Sequence, residues 1–147
     1  MKVSLFATCL ANQFYADACA DTVRLLRHLG VEVDVPKAQT CCGQPAYNSG
    51  ASEKTMEIAK QVIEAFEDYD YIVAPSGSCT GMIKVHYPQL FQKDDVWGPR
   101  ARAVSGKMHE LISFLTDRLG VEAVEAAYAG KVTYHDACSG LRELGIR

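Results

Sequence analysis

Six cysteines punctuate this 147-residue chain: Cys9, Cys19, the adjacent Cys41 and Cys42, Cys79 and Cys138. Thiolates are soft ligands that suit zinc and iron–sulfur clusters, and the same groups can do disulfide or nucleophilic chemistry. Several of these uses can be tested against spacing. Neighbouring Cys41 and Cys42 are too constrained to bridge each other. No C-x-x-C occurs, so a thioredoxin-type dithiol lacks its motif. A cysteine phosphatase would need an arginine six positions after its nucleophile, but Tyr15, Val85 and Leu144 stand at those positions. No G-x-G-x-x-G follows the first apolar run and no G-x-x-x-x-G-K-[ST] is present, so a nucleotide phosphate has no cradle. Metal or cluster ligation remains open to the thiols, with isolated core thiols as the bland alternative.

Composition agrees with that reading. The opening apolar stretch, Val3–Ala7, is too short for a secretory leader, which predicts a cytoplasmic protein whose thiols stay reduced. Fifteen basic residues against 18 acidic ones give a net charge of −3, and no Lys/Arg block stands out. A nucleic-acid partner therefore has no electrostatic support. No apolar run approaches the roughly 18 residues of a membrane span.

The elements that must position the thiols follow from periodicity. Val3–Thr8 reads as a buried strand ending at Cys9. Ala16–Leu29 carries Cys19, Val23, Leu26 and Leu29 on one helical face, and Val31–Val35 alternates as a strand. Pro36–Gly50 reads as a loop holding Cys41-Cys42-Gly43. Ser52–Phe66 reads as a helix that Ser52 can cap, and Tyr71–Ala74 as a strand leading to Ser76-Gly77-Ser78-Cys79. A short helix is expected from Thr80 to about Tyr87, then a loop over Pro88–Pro99. Another helix is marked by Met108, Leu111, Leu115 and Leu119, and a fourth strand by Lys131–Tyr134, running into Cys138.

Alternating strands and helices predict an α/β fold: an open, mainly parallel sheet with helices on both faces, three layers in all. Cys9, Cys41, Cys42, Cys79 and Cys138 would then lie along the rim formed by the strands' carboxyl ends, where such sheets bind ligands. Cys19, on an apolar helix face, is a core residue. Cys79 opens a helix, where the exposed N–H groups and the dipole lower a thiol's pKa. Val3–Cys9 and Val132–Cys138 both place a cysteine six positions after a strand-opening valine, which suggests a duplication. Residues 1–130 are read as one domain and 131–147 as the start of a second.

Cys9, 31 residues, Cys41-Cys42-Gly43, 35 residues and Cys79 resemble the cysteine-rich, or CCG, domain of iron–sulfur oxidoreductase subunits. The flanking Val3–Thr8, Gln39-Thr40 and Gln44-Pro45, with Thr133–Cys138, are most similar to the lactate-utilization and glycolate-oxidase members of that family. The resemblance implies a Rossmann-like fold and an electron-transfer subunit, a non-autonomous part of an oxidoreductase whose activity alone stays open. It implies a [4Fe–4S] cluster on Cys9, Cys41, Cys42 and Cys79, with zinc as the alternative on softness alone. It also implies partners: a ferredoxin-like iron–sulfur subunit and a third subunit, together oxidising L-lactate to pyruvate. Glycolate oxidation, heterodisulfide-reductase-like chemistry and a structural zinc module are the rival readings. The family motif ends in C-x-x-C, and here Met82 takes the last position. Cys138 corresponds to the first cysteine of a second motif and stands as a lower-ranked ligand beside His135.

Of the remaining polar residues, His135 and Asp136 either orient the rim or bond a turn. Asn12, Ser76 and Ser78 either donate to cluster sulfurs or are ordinary turn residues. His28, His86 and His109 read as surface or satisfied core histidines, and Tyr69, Tyr71, Tyr87 and Trp97 as packing at the core edges.

Overall fold

Val3-Ser4-Leu5 is buried at all three positions and forms β1 (Val3–Leu5), the strand around which the sheet is ordered. A computed structural model describes residues 1–146. After β1 come α1 (Cys9–Phe14), α2 (Ala16–His28) and β2 (Val33–Asp34). Next are α3 (Gln44–Asn48), α4 (Ser52–Phe66) and β3 (Tyr71–Ala74). A continuous helical stretch then runs through α5 (Gly77–Gly81), a π-helical turn (Met82–His86) and α6 (Tyr87–Leu90). The chain finishes with α7 (Trp97–Lys107), β4 (Met108–Glu110), α8 (Leu111–Asp117) and α9 (Cys138–Glu143).

The four strands are all parallel, in the order β2-β1-β3-β4. Strand alternation divides the core in two. Val3, Leu5 and Val73 face α2 and α8 through Leu26, Phe114 and Leu115. Ile72, Ala74 and Met108 face α4 and α7 through Ile63, Phe66, Ala101 and Val104. This is the expected three-layer α/β fold. Because the chain leaves β1 toward β2 on one side and β3 toward β4 on the other, the order reverses between β1 and β3. Sheets of this kind bind ligands at such a reversal point, outside the strands' carboxyl ends.

Besides α3, a short helix inside the segment read as a loop, local structure departs from expectation in four places. Met108–Glu110 is a strand, because it completes the ladder against Ile72–Ala74; the helix begins only at Leu111. The Glu110 carboxylate accepts from the N–H groups of Ile112 and Ser113 and so fixes that start. Trp97–Lys107 is a helix whose first turn holds Gly98 and Pro99, which read as breakers in sequence but are tolerated at a helix start. Asp94 Oδ1 accepts from the N–H groups of Val96 and Trp97 just ahead of it. Ser52 is the first residue of α4 and makes no capping bond.

The fourth departure bears on the site. Lys131–Tyr134 forms no strand: the place beside β3 is taken by β4, and Val132 and Tyr134 lie exposed without a ladder. Cys138 therefore opens a helix, α9, that does not follow a strand. That helix lies against α5 so closely that a Cβ on Gly77 would stand 3.2 Å from the Gly140 backbone nitrogen. A glycine on α5 is what lets the two helices meet.

Candidate functional site

The reversal point between β1 and β3 gathers four thiols. Cys9 is the first residue of α1, four positions beyond β1, and Thr8 holds that helix start by accepting from Ala11 N–H. Cys41 and Cys42 arrive on the loop after β2. Gln39 ties this loop down: its side-chain oxygen accepts from Ala7 N–H at 2.7 Å, and its amide donates to the Pro36 carbonyl at 3.0 Å. Cys79 comes from α5, just after β3.

The four form two pairs. Cys9 Sγ lies 3.6 Å from Cys41 Sγ, and Cys42 Sγ lies 3.3 Å from Cys79 Sγ. The inner pair is sealed, with Cys42 2% and Cys79 8% exposed. The outer pair is half-buried and opens on a cleft of about 410 Å³, lined also by Asn12, Lys37 and Gln39. Among the described residues, no three His, Cys, Asp or Glu side chains converge on one point as a mononuclear ion requires.

Backbone geometry aims the double cysteine. Gly43 has φ +83, in the left-handed region, and a Cβ there would meet Ile58 Cγ2 at 3.4 Å. This conformation sends the Gly43 N–H toward Cys41 Sγ, 3.4 Å away, and starts α3 directly after the thiols. From below, fully buried Tyr87 donates its hydroxyl to the Cys42 carbonyl at 2.9 Å.

Electrostatics split the inner pair. Cys42 donates to Cys79, and this bond, with the Ser76 and Ser78 hydroxyls, brings the Cys79 thiol down to about 7 against the pull of burial. Cys42 is pushed far up by that same bond, by burial and by the charge on Cys79. Burial, the bond to Cys41 and the neighbouring thiolate charges raise Cys9. Mutual repulsion of this kind is what a cationic metal or cluster core would relieve, since it binds thiols as thiolates.

The other sequence candidates lie elsewhere. Cys19 is buried against the opposite core, as expected. Cys138 is exposed and joins neither thiol pair, so four cysteines share the rim, not five. His135 and Asp136 are exposed. Met82 is fully buried in the same apolar cluster as Cys42 and Cys79. Two site residues had no periodic signal to betray them. Gln39 acts through a loop contact, and Tyr87, read as edge packing, holds the double cysteine from the core. His109 is buried with its Nε2 unpartnered, so it is not a satisfied core histidine.

Comparison with known proteins now bears on this geometry. Residues 3–84 match the family model described as CCG: Cysteine-rich domain. Over 147 residues the chain is 51% identical to a lactate utilization protein A of Geobacillus sp. (strain WCH70), covering 100% of this chain and 61% of that protein. It is 53% identical to the protein of that name from Exiguobacterium sp. (strain ATCC BAA-1283 / AT1b), covering 99% and 60%. For the Bacillus subtilis (strain 168) protein of the same name the identity is 48%, covering 100% and 61%. The chain thus spans about three-fifths of the length of these relatives. No solved structure matches.

Proposed function

The chain belongs to the cysteine-rich CCG domain family, and from that premise we propose that it is an iron–sulfur electron-transfer component of a system that oxidises L-lactate to pyruvate. A role in lactate utilization is supported by relatives near half identity along the whole chain. The finer claim rests on one observation: four thiols from three separate segments meet at the sheet's reversal point.

Cys9, Cys41, Cys42 and Cys79 are the residues that would hold the cluster, and their number is the ordinary Cys₄ set of a [4Fe–4S] centre. Such a cluster accepts and passes on single electrons. The chain's own residues set the conditions. Cys79 enters as the most readily ionised thiol, helped by Ser76 and Ser78. Tyr87 and Gln39 hold the double-cysteine loop from opposite sides. Burial of the inner pair and the open cleft at the outer pair make one side apolar and leave the other accessible to a partner. That partner is a ferredoxin-like iron–sulfur subunit, with a third subunit completing the system; the family resemblance supports both.

Anaerobic purification followed by iron and acid-labile sulfide analysis tests the reading. The expected result is a brown protein with near-stoichiometric iron and sulfide. A colourless protein carrying one zinc per chain would instead establish a structural zinc module.

A further inference from the structure

Of the two thiol pairs the inner one is the closer, at 3.3 Å against 3.6 Å, so distance alone favours it for a covalent bond. Ease of ionisation favours it too, through Cys79. Access reverses that order. Cys42 and Cys79 are sealed, whereas Cys9 and Cys41 are half-buried and both line the cleft of about 410 Å³. The wall beside them carries the polar side chains of Asn12, Gln13 and Thr40. A water-sized polar oxidant thus has a path to the outer sulfurs and none to the inner ones.

The backbone holds the outer sulfurs within reach of each other across 32 positions of sequence. Thr8 fixes the start of α1, where Cys9 stands. Gln39, two positions before Cys41, accepts at 2.7 Å from the N–H of Ala7, two positions before Cys9. That bond keeps the two segments in step. Cys9 donates to Cys41 across the gap. A disulfide needs its sulfurs about 2.0 Å apart, so closing from 3.6 Å takes a movement of side chains and not of strands.

We propose that Cys9 and Cys41 are an oxidative modification site, converted to a disulfide when a peroxide meets the metal-free chain. One sulfur, as its thiolate, attacks a peroxide oxygen; the O–O bond breaks, the other oxygen leaves as water, and a sulfenic acid remains. The second sulfur attacks the sulfenic sulfur, the S–O bond breaks, and its proton leaves with that oxygen as a second water. Two thiols lose two electrons and two protons, and one hydrogen peroxide becomes two waters. A dithiol reverses the bond by exchange and is itself left as a disulfide.

The disulfide stands on geometry alone, whereas its consequence rests on the iron–sulfur reading. With Cys9 and Cys41 bonded to each other, two of the four cluster ligands are withdrawn, and iron is not taken up until they are reduced.

The test treats the reduced, metal-free full chain with hydrogen peroxide, blocks the remaining thiols in denaturant and maps linked peptides by mass spectrometry. A Cys9–Cys41 link is expected, formed about tenfold faster than any Cys42–Cys79 link and reversed by dithiothreitol. Cys138→Ser, at an exposed position, removes links between chains and should behave the same. A Cys42–Cys79 link that forms first, or outer thiols driven to sulfinic acid without a link, would overturn the proposal. In a brief reconstitution with ferrous iron and sulfide, the oxidised chain should load only after dithiothreitol; equal loading without it would overturn the consequence. A link that forms in a chain whose reduced form also takes up no iron supports the disulfide and counts against the cluster reading alone.

Discussion

The Sγ atoms of Cys42 and Cys79 lie 3.3 Å apart across 37 positions of sequence, and Cys42 is the donor. One thiol is thereby favoured as an anion and its neighbour is held as an acid. Cys42 follows β2 and Cys79 sits in α5 after β3, so the two meet only because β1 pairs with both strands, Val3 against Val33 and Leu5 against Val73.

The thiols sort by position. Cys42→Ser removes a member of the sealed pair and should abolish iron incorporation, while Cys19→Ser, in the opposite core, should leave iron content unchanged. Iron and sulfide analysis of both variants decides; equal effects would contradict the sorting.

Cys79 should ionise well below an ordinary thiol. In reduced, metal-free protein its alkylation rate should rise with pH through a midpoint of about 7. In Cys42→Ala, which lacks the donor, that midpoint should climb. Peptide mass spectrometry after timed iodoacetamide quenching reads this, and an unmoved midpoint would show that Cys42 is not the cause.

Gly43→Ala forces a Cβ into φ +83 beside Ile58. A destabilisation of about 1–2 kcal/mol is expected in urea unfolding. Iron content should fall with it, since the same backbone conformation directs the Gly43 N–H at Cys41.

Tyr87→Phe keeps the ring and deletes the hydroxyl that meets the Cys42 carbonyl. A buried carbonyl left without its donor should cost about 1–3 kcal/mol in urea unfolding. A neutral result would mean that the carbonyl finds another partner.

Arg100 grips Glu67 with two bonds of 2.8 Å and holds its carboxyl below the usual carboxylate range. A depressed folded-state pKa contributes stability above the unfolded value of about 4.3 that disappears as pH falls through the lower folded value. Glu67→Gln should therefore cost a few tenths of a kcal/mol at neutral pH, the pair being part-exposed, and nothing in strong acid. Urea midpoints across pH check it; a gap that stays constant into strong acid would refute the ion pair as its source.

Much of this was written in local pattern. Val3–Leu5 and Tyr71–Ala74 are apolar runs between breakers, Ala16–His28 and Ser52–Phe66 repeat at helical spacing, and a buried strand or an amphipathic helix needs little else. The misread segments are those where long-range contacts outvoted periodicity. Met108 continues the apolar face of the helix after it, yet it is a strand because Ile72 offers it a ladder. Val132 and Tyr134 have strand chemistry and no neighbour to pair with.

The sequence by itself determined which atoms are available: a double cysteine before a glycine, a cysteine beyond each of two strands, and a valine-rich, alternating architecture that puts strand ends on one rim. The tertiary structure decided which of them meet. It divided four rim thiols into a sealed and an open pair, left Cys138 exposed and brought Tyr87 under the Cys42 carbonyl. Ligand chemistry is a property of residue type and travels with the chain. Proximity is a property of strand order and packing, and no local pattern encodes it.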